Sequence, residues 1–338
     1  MSRPAIIANL RYPRDLDTYA NRPGYEPSPF IKLWSRVDVM GQAEGAVVML
    51  GLTGAQVMSD PRQAARLVCD AVEFAQVEIG AEVVGLTSLT SSVTMRGEWL
   101  CRQPGIKAAL THGDSYAVAL TLDGLSRVAE KTGRPLADTT VAIVGAYGLI
   151  GRAVSLLLAQ TCARLILVGP NEGKLGVLRR ELPAGPSDVV ATTDLRAVAD
   201  AHTIVTATSN PDALITAAVL GNSRHPVVIY EVSVPPNLPR LEYERLRSER
   251  PNVVKVDGAM AAIPGVDVGF SAEEVPDGHT FACWAETMMQ ALENDCTHHI
   301  GAIDLEHVHR TREWAGKYGF GHAPFTCFGE LVPDKAFQ

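Results

Sequence analysis

The 338-residue chain has no apolar run approaching the roughly 18 residues needed to cross a bilayer. Its first residues, MSRPAIIANLRYPRDL, lack the long uncharged stretch of a signal peptide. A cytoplasmic protein with no integral membrane span is expected. Positive charge is also scarce: 30 Lys and Arg against 38 Asp and Glu leave a formal net charge of −8, which argues against nucleic acid or an anionic membrane surface as a main partner. The six cysteines, Cys69, Cys101, Cys162, Cys283, Cys296 and Cys327, include no C-x-x-C pair. Neither a disulfide framework nor a zinc ribbon is indicated, and each is read as a free thiol. His298, His299, His307 and His309 follow no zinc-ligand spacing, so no metal is expected.

What the chain has is length enough for two cores and one organising stretch, residues 141–154, VAIVGAYGLIGRAV. Four apolar residues lead into Gly145, Gly148 and Gly151, and helix-period apolar residues follow at Ile150, Val154 and Leu157. This reads as buried strand, glycine turn and helix start, where a dinucleotide pyrophosphate sits on backbone N–H groups at the positive end of a helix. The spacing is G-x-x-G-x-x-G, a partial match to the commoner fingerprint. Gly145, Tyr147, Gly148, Leu149 and Ile150 are the candidate cofactor contacts.

Strand-like runs at 164–168, 188–191, 203–207, 227–232 and 253–256 then alternate with helical or loop segments. The pattern predicts an α/β fold with a Rossmann-type doubly wound parallel sheet. The fourth of these strands ends T-A-T-S-N, so Thr208 and Ser209 are expected near a bound ribose or nicotinamide. The second ends Gly169-Pro170-Asn171, without the carboxylate that an NAD-specific site offers to the adenosine ribose, and Lys174, Arg179 and Arg180 follow. NADPH is favoured, with NADH as the alternative. Asn171 and Lys174 join the candidate contacts.

Before this domain come apolar strand-like runs at 5–10 and 46–53, an amphipathic helix at 61–79, a strand at 82–88 and a long helix at 113–133. After it comes a helix at 280–293, with Cys283 in its first turn, and another at 305–318. A discontinuous α/β substrate domain, 1–134 with 276–338, is expected around an inserted Rossmann domain at 135–275. Thr87 and Ser88 close a strand where α/β sheets place ligand groups. A helix N-terminus favours a thiolate, whereas a buried cysteine on an apolar helix is also a common packing residue.

Several stretches together resemble the long-chain acyl-[acyl-carrier-protein] reductases: Gly85-Leu-Thr-Ser88, Thr111-His-Gly-Asp114, the glycine turn, Asp257-Gly258 with Ile263-Pro264-Gly265, Phe281-Ala-Cys-Trp-Ala-Glu286, and Tyr318-Gly-Phe320. The resemblance implies that Cys283 is a nucleophile that takes an acyl group from a thioester, which NADPH then reduces to an aldehyde. It implies Ser88 and Glu286 as further catalytic residues, and Thr87, Thr111, His112, Gly113 and Asp114 as substrate contacts. The implied partners are acyl carrier protein or coenzyme A thioesters and an aldehyde-consuming enzyme. The family's T-T-G-N is Thr111-His112-Gly113-Asp114 here, which adds an imidazole and a carboxylate to the pocket.

Two other readings keep the cofactor. Shikimate-dehydrogenase-like and glutamyl-tRNA-reductase-like oxidoreductases share the layout but use no covalent chemistry at Cys283, and direct hydride transfer to a ketone would need a Lys, Tyr or His donor near Thr87, of which the sequence shows no clear one. A non-catalytic nucleotide sensor or scaffold is the third reading.

Overall fold

A computed structural model describes residues 1–210, 212–221 and 225–338. The chain forms two compact units: residues 1–117 with 261–321, and residues 118–260 with 322–338. The structural divisions thus fall after 117, 260 and 321, where the sequence reading put them at 134 and 275. No helix among the described residues is long and apolar enough to cross a membrane.

In the first unit, parallel strands Pro4–Leu10, Ala43–Thr53, Val83–Leu86 and Ala109–Thr111 form the body of a six-stranded sheet. The register pairs Ile6 with Val47 on one side and with Gly85 on the other. Ile31–Val39 runs antiparallel to Ala43–Thr53, and Val266–Asp267 extends that edge. The sequence reading had no strand at Ile31–Val39. Its Lys32 is fully buried, with its ammonium donating to the carbonyls of Tyr19 and Arg22 and paired with Glu26 at 2.7 Å, and Trp34-Ser35 breaks the apolar alternation where the register shifts between Leu33 and Ser35. Helix Pro61–Phe74 starts at Asp60, whose Oδ1 accepts from Gln63 N, with Pro61 at its first position. Its Ala64, Val68, Ala71 and Val72 are buried. Helix Ala282–Leu292 is buried at all but one position and packs against Val83–Leu86 and Pro4–Leu10, while Leu305–Tyr318 packs beside it.

The second unit is a six-stranded, all-parallel sheet. Its spatial order is Val253–Asp257, Val227–Glu231, Thr203–Thr206, Thr140–Val144, Arg164–Val168, Asp188–Thr192. The order reverses beside Thr140–Val144, the strand that feeds the glycine turn, which is the switch point where such sheets bind dinucleotides. The expected α/β class and Rossmann-type sheet are therefore what the chain adopts. The strands are buried on both faces, as their nearly continuous Val/Ile/Leu runs require.

Candidate functional site

The glycine turn is built for backbone approach. Gly145 has φ +86°, and a Cβ there would meet the Ala207 carbonyl oxygen and lie 2.8 Å from Thr208 Cγ2. A Cβ on Gly148 would lie 3.0 Å from the Gly145 oxygen, and one on Gly151 would strike the same carbonyl. The amides of Gly145 and Ala146 donate to the Val168 oxygen at 3.0 and 3.1 Å, and Gly148 N donates to Gly145 O at 2.8 Å. These bonds set the turn against helix Leu149–Leu158, whose first amides have no intrahelical acceptor and remain for a pyrophosphate. Tyr147, Leu149 and Ile150 are all half-buried there. The residues present therefore fit a dinucleotide.

The other candidate contacts divide. Asn171 Oδ1 accepts from Lys174 N at 2.9 Å and caps helix Glu172–Glu181, so that side chain is already engaged. The Lys174 ammonium lies 5.5 Å from the centre of the Tyr147 ring. Thr208 is held through its amide by Ser233 Oγ at 2.8 Å and through its hydroxyl by Asn237 Oδ1 at 2.8 Å, while Ser209 is exposed. Asn237, fully buried, also accepts from Ser233 Oγ and donates to the carbonyls of Asn210 and Asp212. The sequence reading had not singled out this amide, since no local motif marks it.

In the first unit a second constellation forms. Gly113 (φ +71°) lies against Cys283, so that a Cβ would come 2.5 Å from the cysteine Cβ. His112 is buried, and its Nδ1 accepts the Asp114 amide at 3.0 Å with Asp114 Oδ2 3.4 Å away. An Nδ1 that accepts leaves the neutral ring's proton on Nε2. Burial lowers the His112 pKa to about 4, against the pull of the Glu286 carboxylate, so the ring is neutral at pH 7. Burial and nearby Glu286 raise Asp114 to about 7.

Glu286 is wholly buried: Oε1 accepts from Thr111 Oγ1 at 2.8 Å and Oε2 from Tyr116 N at 2.7 Å, with His307 Nε2 3.3 Å from Oε1. Burial raises its pKa, but the bonds from His307 and Tyr116 N outweigh it and hold the group below its ordinary value. His307 stacks on His299 with ring centres 3.5 Å apart, and His299 Nε2 lies 2.9 Å from Asp295 Oδ2. The sequence reading weighed these histidines only as metal ligands. Their stacking joins residues on a loop and a helix and has no linear signature. Among the described residues no group of three or more His, Cys, Asp or Glu side chains is arranged to hold a metal.

Cys283 sits in the first turn of Ala282–Leu292 as expected, but its surroundings oppose a thiolate. Cys283 is half-buried, the one position of that helix not fully buried; desolvation by the packing around it, then the carboxyl groups of Asp114 and Glu286, push its thiol above the ordinary cysteine range, the reverse of what a nucleophile needs. Thr87 is buried and its hydroxyl donates to Ile7 O at 3.0 Å. Ser88 is exposed at φ +57°.

The fold and the glycine turn define a dinucleotide-binding Rossmann domain, and NADPH is consistent with it. Residues 127–257 match the family model described as "Shikimate / quinate 5-dehydrogenase", a segment that contains the whole parallel sheet. The chain is 28% identical over 303 residues to the aminotransferase PigE of Serratia sp. (strain ATCC 39006), covering 86% of this chain and 33% of that protein. It is 24% identical over 250 residues to the very-long-chain aldehyde decarbonylase GL1-1 of Oryza sativa subsp. indica, covering 72% and 36%. The chain thus spans about one third of the length of these curated relatives. A shikimate 5-dehydrogenase structure from Listeria monocytogenes aligns at a TM-score of 0.35 and 10% identity over 92% of this chain and 96% of that one.

The family match corrects the assignment to acyl-[acyl-carrier-protein] reductases and with it the aldehyde-forming reduction of a thioester through Cys283. In this fold the F-A-C-W-A-E stretch that carried the resemblance opens helix Ala282–Leu292. Its cysteine backs onto Gly113, and its glutamate accepts bonds from Tyr116 N and Thr111.

Proposed function

We propose that the chain is a shikimate-dehydrogenase-like oxidoreductase that transfers hydride directly between the nicotinamide and a small carbonyl or hydroxyl substrate, with no covalent step at Cys283. The family match over the entire parallel sheet carries this reading, and the disfavoured Cys283 thiolate supports it. NADPH, when bound, supplies the hydride.

The chain's own residues handle the proton. His112, neutral with its proton on Nε2, donates to the substrate oxygen as negative charge develops there. Nδ1 then takes the proton of the Asp114 carboxyl group, 3.4 Å away. The oxygen gains one proton, Asp114 loses one, and the imidazole returns to neutral as its Nδ1–H tautomer, which donates to the Asp114 carboxylate in place of accepting from its amide. Glu286 is a positioning residue: by accepting from Thr111 Oγ1 and Tyr116 N it anchors both ends of the loop that carries His112 and Asp114.

The test is turnover of a panel of small 2-oxo and cyclic ketones with NADPH deuterated at C4. Deuterium on the product carbon, retained when Cys283 is replaced by alanine, is the expected result. Turnover restricted to thioesters, or abolished by Cys283→Ala in a folded variant, would sink the reading.

A further inference from the structure

Beside the acid–base cluster, helix Ala282–Leu292 borders a cavity of about 350 Å3 within the same unit. This is the lower end of the range of small-ligand sites, roughly 300–1,000 Å3. Ile263, Val268, Phe270, Val275, Phe281 and Trp284 line it. The aromatic rings pack on one another: Phe270 and Phe281 approach Trp284 with centroids 6.2 and 6.4 Å apart at 52° and 62°, the inclined arrangement that aromatic clusters favour.

One polar group in this wall lacks a partner. His279 lines the cavity, and its Nδ1 is buried with no hydrogen-bond partner among the described residues. A buried ring nitrogen left unpaired is costly, and a native structure that keeps one invites a ligand as the explanation. Asp267 and Asp277 complete the lining. Asp267 Oδ1 accepts from Gly269 N at 2.8 Å and Asp277 Oδ1 from Ser271 Oγ at 3.4 Å. Two carboxylates disfavour an anionic occupant.

We propose that this cavity binds a neutral aromatic ring bearing one hydroxyl or N–H group, with the ring among Phe270, Phe281 and Trp284 and the polar group on His279 Nδ1. That the ring is one end of the substrate rests on the oxidoreductase reading; that it binds does not.

p-Cresol and toluene differ by a single hydroxyl and separate the two contributions. Each is titrated into the full chain and followed through the Trp284 indole N–H by proton–nitrogen NMR, with NADPH binding followed at the Gly145 amide of the same sample. p-Cresol is expected to saturate with an affinity about tenfold above that of toluene, the worth of one well-made hydrogen bond. His279→Phe should erase that difference, and Val275→Trp, which fills the cavity, should abolish both titrations. Ala272→Trp serves the same purpose if Val275→Trp does not fold. Equal affinity for the two probes, no saturation, or titrations unchanged by the filling substitutions would overturn the proposal. Saturation by NADPH without p-cresol binding refutes the pocket and spares the oxidoreductase reading. Binding of p-cresol without deuterium transfer to any carbonyl does the reverse.

Discussion

The backbone amide of Asp114 donates to His112 Nδ1 at 3.0 Å, while the carboxyl group of the same residue stands 3.4 Å from that nitrogen. A single residue thus selects the imidazole tautomer and holds a proton in reserve beside it. Because burial and Glu286 raise Asp114 to about 7, the reserve is half filled near neutrality.

On the proposed mechanism the direction of catalysis should depend on pH. Carbonyl reduction consumes the Asp114 proton, so its rate should fall as pH rises through about 7, and alcohol oxidation should rise over the same interval. Asp114→Asn should flatten both profiles. Initial rates in each direction between pH 5 and 9 test this; a variant that keeps the wild-type inflection excludes Asp114 as its source.

Stability carries two opposite signatures. Asp114 is raised in the folded state, so its contribution is full below its unfolded pKa near 4 and is lost as pH climbs through about 7. Glu286 is lowered, so its contribution is present above its ordinary range and is lost as pH falls through its folded pKa. Asp114→Asn should therefore raise Tm at pH 8 with little change at pH 4. Glu286→Gln should destabilise by about 1–3 kcal/mol at pH 7, since an amide cannot accept from Thr111, Tyr116 and His307 together. Thermal melts across pH measure both.

Cys283→Ala should leave turnover within about threefold of wild type, a change below 1 kcal/mol in barrier. Iodoacetamide should react slowly with Cys283 at pH 7, because its thiol is held protonated. Rapid alkylation at that site, located by mass spectrometry, contradicts this.

Gly145→Ala places a Cβ against the Ala207 carbonyl at φ +86°. The strain, about 1–3 kcal/mol, should appear as roughly five- to hundredfold weaker NADPH binding in a chain that still folds. Calorimetric titration with NADPH measures it directly.

Asn237→Ala removes four hydrogen bonds that tie Thr208, Ser233 and the carbonyls of Asn210 and Asp212 together. KM for NADPH should rise several-fold with a smaller fall in kcat, since the residue positions a cofactor loop and stands outside the acid–base cluster. A kcat effect with unchanged KM would remove that role.

The parallel sheet was legible because its strands are buried on both faces, which forces continuous apolar runs, and because a φ of +86° at Gly145 demands glycine. Strand Ile31–Val39 was not, since its apolar/polar alternation is interrupted at Trp34-Ser35, where its pairing with Ala43–Thr53 shifts register. The candidate residues Thr111, His112, Gly113, Asp114, Cys283 and Glu286 do come together in one unit. Their ionisation was not legible, because a motif records neighbours along the chain, while a pKa depends on neighbours in space.

By itself the sequence determined a Rossmann turn, the cofactor class and a cysteine at a helix start, each set by local backbone geometry and periodicity. Only the tertiary structure decided that this cysteine faces two carboxyl groups, and that His112 is a buried neutral imidazole whose Nδ1 accepts from the Asp114 amide. The physical reason is that ionisation energy is set by desolvation and by charges a few ångströms away, and these come from residues distant in the chain.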